Sequence, residues 1–145
     1  MFVARWLLHD TASDLTEDVL DVAEALWKSE GPASYDMEVA IGGARAGLVH
    51  VEVRDGQVVS VERDGKTPPE RTWHVWSVPG QFDTLYRELE LAADPMGEID
   101  ASNETRWLLR AEFDSQFGYP KRYRRTVSGT GPDISWEVSK FNPIQ

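Results

Sequence analysis

Residues 49–61 read "VHVEVRDGQVVSV", and this stretch restricts the fold more than any other. Val49, Val51 and Val53 alternate with His50, Glu52 and Arg54. Asp55-Gly56 follows, then Val59 and Val61. A period of two with polar residues between the valines means a strand with one buried and one wet face. Two such runs joined at Asp-Gly mean a β-hairpin, and so an antiparallel sheet. Loop length decides which valines share a face. A two-residue loop at Asp55-Gly56 pairs Val53 with Val58 and puts Val59 and Val61 opposite the face of Val49, Val51 and Val53. A three-residue loop, Arg54-Asp55-Gly56 with Gly56 left-handed in a bulge, opposes Val51 to Val59 and Val49 to Val61, so that all five valines share one face. One buried face is the rule for such a sheet, so the bulged loop is expected. A type I′ turn at Asp55-Gly56 without a bulge at Gly56 would overturn that reading.

The rest of the chain supplies elements around this hairpin. Leu15, Val19, Val22, Ala23 and Leu26 recur at helical spacing, with Asp14, Glu17 and Asp18 in the first turn, Lys28 in the last, and Gly31-Pro32 as the stop. This predicts a helix over about residues 14–29. Tyr35, Met37, Val39 and Ile41 alternate as a strand. Residues 64–72 are a Pro-rich connector, and "WHVW" (73–76) reads as a short strand. Ser77 caps a second helix with Pro79 in its first turn and Phe82, Leu85, Leu89 and Ala92 as its apolar stripe. Asp94-Pro95 ends it, and 96–104 is loop. Trp107, Leu109, Ala111 and Phe113 alternate as a strand, followed by a strand at about 121–128, a "GTGPD" turn, and a last strand through Ile134, Trp136 and Val138 to Phe141. The expected class is α+β: one curled antiparallel sheet of about six to seven strands, two helices on one face, and an α-β-β-β order in each half. Residues 1–145 form a single domain, with 1–13 an N-terminal extension or first packed segment.

The function classes narrow by exclusion. A net charge of −10, from 25 acids against 15 cations, lacks the basic face that nucleic acid requires. There is no cysteine, which removes thiolate nucleophiles, Cys-ligated zinc and disulfides. The opening "MFVARWLLHD" has an apolar run far shorter than the ~20 residues of a membrane span and no cleavage site behind it. It is a native first strand or helix turn, or the stump of a trimmed anchor, and the first is favoured. No transmembrane segment and no signal peptide is visible. Nucleotide-loop, nucleophile-elbow and zinc-protease motifs are absent, so no catalytic residue, cofactor or metal is assigned. His50 and Glu52 share a strand face but lie opposite the valines, which makes them solvated surface. His74, between Trp73 and Trp76, reads as a stacked structural histidine, and Glu88 and Glu90 as helix surface.

One stretch interrupts the acidic background. "DSQFGYPKRYRRT" (114–126) holds a turn and then Lys121, Arg122, Arg124 and Arg125 around Tyr123. The turn motif is Asp114, Gly118, Tyr119 and Pro120. Asp114 accepts loop amides, Gly118 takes a positive φ, Pro120 enters the next strand, and Tyr119 packs its ring over the turn. By pleat, Lys121, Tyr123, Arg125 and Val127 point one way and Arg122, Arg124 and Thr126 the other. If Tyr123 faces the core, Arg125 must snorkel or pair with an acid. Arg122, Tyr123, Arg124 and Arg125 are the candidate ligand or partner patch, suited to a carboxylate or phosphate. The alternative is a strip that neutralises neighbouring carboxylates.

Trp27 and "SYDMEV" (34–39), "VHVEVRDGQVVSV" (49–61), "SVPGQFDTL" (77–85), "FDSQFGYP" (113–120) and "DISWEVSKF" (133–141) occur in the order of one family. Over about residues 27–141 the chain resembles the bacterial domain-of-unknown-function family 6174, whose members are small and mostly exported or lipoprotein-borne. That family carries a Cys-x-Cys pair where this chain has "IGGARAG", and it prefers Asp at Pro79 and Tyr at Phe117. The resemblance implies a fold and a bacterial envelope or extracellular setting, and no reaction. The expected function is a non-enzymatic binding or structural domain of the envelope, acting as a monomer or weak homodimer on an unknown protein or a small anionic ligand. The alternatives are a small hydrolase or lyase with carboxylates in a sheet cleft, and an inhibitor-like interaction domain using exposed aromatics.

Overall fold

The computed structural model describes residues 12–93, 107–127 and 133–145. The valine hairpin is β3 (Gly47–Arg54) and β4 (Gln57–Arg63). Its turn is the tight one and corrects the expected bulged loop. Arg54 pairs with Gln57 and Val53 with Val58. Asp55 and Gly56 both have positive φ, 50° and 78°, as a type I′ turn requires. The preceding loop holds this turn: the Gly56 amide donates to the Ala33 carbonyl (2.7 Å) and the Asp55 amide to Ser34 Oγ (2.9 Å). The extra residue enters farther along the strand. The register shifts between Glu52 and Val53, so Ser60 opposes Glu52 and Val61 opposes Val51. Val59 is the residue pushed out, 50% exposed, while Val49, Val51, Val53 and Val61 are buried and Val58 packs against them. A bulge restores the one-face rule from any point on a strand, not only from the turn.

The sheet has seven antiparallel strands in the order β1-β5-β6-β7-β2-β3-β4. The others are β1 (Ser13–Asp14), β2 (Tyr35–Gly42), β5 (Trp107–Phe113), β6 (Pro120–Val127) and β7 (Ile134–Pro143). Each half has the expected α-β-β-β order, and the halves join where β7 pairs with β2. Residues 73–76 are not a strand. They end a 3₁₀ helix, Glu70–Trp76, nucleated by Pro68-Pro69: Thr72 returns its amide and hydroxyl to the Pro69 carbonyl, and Trp73 Nε1 donates to the Pro68 carbonyl. The seventh strand is β1 instead.

Helices α1 (Glu17–Glu30) and α2 (Val78–Ala93) bury their apolar stripes against the valine face. α1 starts at Thr16, whose hydroxyl caps the Val19 amide (3.2 Å), later than expected. Leu15 is buried but precedes the cap, so it does not set the helix phase. The buried stripe is Leu20, Ala23 and Trp27, and Val22 points to solvent at 71% exposure. α2 follows its prediction more closely. Ser77 Oγ accepts the Gly80 amide (3.0 Å), and Phe82 and Leu85 are buried. Tyr35 locks sheet to helix by accepting the Val78 amide on its hydroxyl (2.9 Å). Tyr86 of α2 sets its hydroxyl against Asp21 and Glu24 of α1. No helix among the described residues is long and apolar enough to cross a membrane. The expectations for residues 1–9, the 96–104 loop and most of the "GTGPD" turn lie outside the described residues.

Candidate functional site

The Gly-Tyr-Pro turn is built as the residues suggest. Asp114 Oδ2 accepts the Gln116 and Phe117 amides at 3.1 and 2.7 Å, and the Asp114 carbonyl accepts the Gly118 amide at 2.9 Å. Gly118 has φ 88°. Its second constraint was not visible in the sequence. A Cβ here would lie 2.4 Å from the Ala23 carbonyl oxygen and 2.9 Å from the Trp27 nitrogen, so the turn docks on the backbone of α1. Tyr119 stacks on Phe141 (4.2 Å, 15°), which also stacks on Tyr35 (5.1 Å) and meets Trp27 edge-on (6.1 Å). The motif therefore joins β5–β6 to α1 and the end of β7; it is an architectural joint.

The basic strip divides between the two faces of the sheet. A register shift between Glu112 and Phe113 opposes Arg122 to Glu112 and Pro120 to Phe113, leaving Lys121 as the extra residue. Lys121 consequently leaves the face of Tyr123 and joins Arg122 at Glu112, each at 3.6 Å. Tyr123 (1% exposed) and Arg125 (8%) go under α2. There Arg125 Nη1 donates to both oxygens of Glu88 at 3.1 Å, and the Tyr123 hydroxyl donates to Glu88 at 2.8 Å. The guanidinium lies 4.3 Å from the Trp107 ring. Burial, reinforced by Glu88, pushes the Tyr123 phenol well above its usual range. Glu88, expected on the helix surface, is 8% exposed. It follows Leu85 by three residues on the apolar stripe, and the buried Arg125 supplies the partner it needs. Arg122, Tyr123, Arg124 and Arg125 are thus not one patch.

The outward residues of the strip meet others on the helix-free face. Arg124 of β6 is directly opposite Arg110 of β5, with Ser135 of β7 as its other neighbour, and Ser135 opposes Gly42 of β2. One level along, Arg122 is flanked by Glu112 and Glu137, and Glu137 opposes Ala40. Arginines therefore stand beside a floor of Ala40, Gly42 and Ser135, whose small side chains leave an open groove of about 810 Å³. Arg122 is held by Glu112 (3.6 Å) and Glu137 (3.4 Å). Arg124 reaches Asp133 only at 4.0 Å and remains 68% exposed. Arg110 donates to the Ala12 carbonyl and makes no ion pair among the described residues. Arg110 and Ser135 escaped the sequence reading because cross-strand register, not sequence distance, brings them to Arg124.

The remaining candidates are surface features. His50 is exposed beside Glu38 (3.5 Å), and Glu52 pairs with Arg54 (3.5 Å). His74 is exposed on the 3₁₀ helix. Among the described residues no group of three or more His, Cys, Asp or Glu could hold a metal ion. No family model matches the chain, and no curated protein sequence matches it.

Proposed function

We propose that the chain is a non-enzymatic binding domain whose site is the arginine-lined groove on the helix-free face, and that the ligand carries negative charge. One observation carries this reading: Arg110 and Arg124 stand directly opposite each other in the β5–β6 ladder. Like charges so placed destabilise a sheet. Among the described residues no acid pairs with Arg110, and Asp133 meets Arg124 only at 4.0 Å. A cation pair held at a cost to the fold is readily explained by an anion that bridges it.

Two other readings have less support. The buried carboxylate, Glu88, is committed to Arg125 and Tyr123, and the groove acids Asp133 and Glu137 each face an arginine. The large apolar side chains at the described surface are aliphatic, Val22, Val59 and Leu108 among them, while the aromatics pack on the core. The family resemblance suggests the bacterial envelope or extracellular space, which fractionation of the native cell tests. For the site itself, anion titrations followed by amide chemical shifts should move residues of β5, β6 and β7 at low ionic strength. Arg110→Ser and Arg124→Ser should abolish those shifts. Absence of any saturable shift from carboxylate, phosphate or sulfate would overturn the proposal.

A further inference from the structure

The geometry of the arginine row also points to the class of anion, on the footing that the groove is the binding site. We infer that it takes a tetrahedral dianion, a phosphomonoester, in preference to a carboxylate. Residues facing each other across an antiparallel pair have Cβ atoms about 5 Å apart. The Arg110 and Arg124 guanidinium groups therefore extend from neighbouring bases. Ser135 stands on the far side of Arg124 at the same level, with its hydroxyl beside Gly42. Three strands thus contribute donors to one row along the groove.

A carboxylate has two coplanar oxygens, and one guanidinium fork satisfies them. It would leave the second guanidinium and the hydroxyl without a contact to the ligand. A phosphomonoester has three terminal oxygens directed to different corners and carries −1.5 to −2 near neutral pH, with a second ionisation near pH 6. That matches two guanidinium groups and a hydroxyl in number and charge. Arg122 supplies a further positive charge two residues along β6 while anchored by Glu112 and Glu137. The groove, about 810 Å³, is much larger than a phosphate group, and its small-residue floor leaves room for the esterified moiety. The neighbouring Asp133 is a weak competitor: its contact with Arg124 is 4.0 Å long and both groups are exposed, so an incoming dianion displaces it easily.

The test is calorimetry and amide-shift titration of the full chain with inorganic phosphate, glycerol phosphate and succinate. Vesicles of phosphatidylcholine, with and without phosphatidic acid, form a further arm. Phosphate and glycerol phosphate should bind at least about tenfold tighter than succinate, the margin one charge-assisted hydrogen bond supplies. Binding should tighten as pH rises through the second ionisation of the ligand. Arg124→Ser and Arg124→Lys should each weaken phosphate binding about tenfold or more, because Lys keeps the charge and loses the fork. Ser135→Ala should weaken phosphate and leave succinate unchanged. Binding to the phosphatidic acid vesicles and not to phosphatidylcholine, beside binding of free phosphate, would identify a lipid headgroup as the source and support the inference. Succinate binding as tightly as phosphate, or an unchanged phosphate affinity in Ser135→Ala, would overturn it while leaving the groove as an anion site. Failure of every anion would remove the groove reading as well.

Discussion

Removing Arg125 should be among the most damaging single substitutions in the described fold, and removing Glu88 with it should repair most of the damage. Glu88 accepts three hydrogen bonds, two from Arg125 Nη1 at 3.1 Å and one from the Tyr123 hydroxyl at 2.8 Å. Both charged side chains are about nine-tenths buried. Arg125→Met keeps the packing volume but leaves the carboxylate with the phenol alone. An uncompensated charge at such depth costs about 3–5 kcal/mol. Loss of the guanidinium over Trp107 adds up to about 2 kcal/mol. We expect a loss of about 4 kcal/mol for Arg125→Met, and a similar loss for Glu88→Leu, which strands the cation. The pair is not worth that much in itself. Arg125 Nε is buried without a partner, and an unmet donor costs about 1–3 kcal/mol. The double variant Glu88→Leu/Arg125→Met should therefore lose no more than about 2 kcal/mol, most of it from the Tyr123 hydroxyl left without an acceptor. Urea unfolding at neutral pH, with the m-value checked for each variant, measures all three. A cost below about 1 kcal/mol for Arg125→Met would refute the reasoning, as would a double variant as damaged as the sum of the singles.

Two further predictions address the turns and the phenols. Gly118 and Gly56 both have positive φ, but a Cβ at Gly56 meets nothing within 4 Å whereas one at Gly118 strikes the backbone of α1. Gly56→Ala should cost about 1 kcal/mol and Gly118→Ala about 3 kcal/mol or more, and equal melting temperatures for the two would show that the turn does not dock on α1. Burial pushes the Tyr35 phenol up to about 12, and burial with Glu88 raises Tyr123 further. A raised folded pKa means full stability below pH 10, where the unfolded tyrosines are still protonated, and loss above it, by about 1.4 kcal/mol per pH unit for each of these phenols. Phenolate absorbance should rise together with loss of tryptophan fluorescence between pH 10 and 12. Phenolate forming near pH 10 in a chain that stays folded would contradict the burial of both rings.

The period-two runs gave the strands, their antiparallel pairing and the α-β-β-β order because a strand's inward face needs only its own alternation to be recognised. Phase was harder to read. Val59 and Lys121 are single extra residues in their ladders, and one bulge restores parity wherever it falls, so the sequence permits several placements. The α1 stripe predicted from the sequence is one step out of phase because Leu15 is apolar, buried and outside the helix. Glu88 reads as surface in the sequence because a carboxylate on an apolar stripe is explained only by a partner 37 residues away. The pleat of β6 had already required some acid for Arg125. Combining that demand with the i+3 position of Glu88 after Leu85 was the available signal. For Arg110 there was none short of the β5–β6 register.

Strand β6 ties the core to the groove. Its alternation sends Tyr123 and Arg125 under α2, and Arg122 and Arg124 to the helix-free face. A slip of one residue would reverse this, placing Arg122 and Arg124 against the apolar face and leaving Glu88 without its cation. The buried ion pair and the exposed arginine row are therefore two consequences of one register. That register is set at the strand's start, where Pro120 is paired with Phe113 and Lys121 is bulged out. It is held in place by the Gly118 turn seated on α1. An apolar replacement at 125 and 88 could match the pair in stability, but it would weaken the penalty against the slipped ladder, because a methionine tolerates either face better than a buried arginine with one acid to meet. What the ion pair contributes is a choice between two registers. The positions of Arg110, Arg124 and Ser135 across three strands depend on that choice.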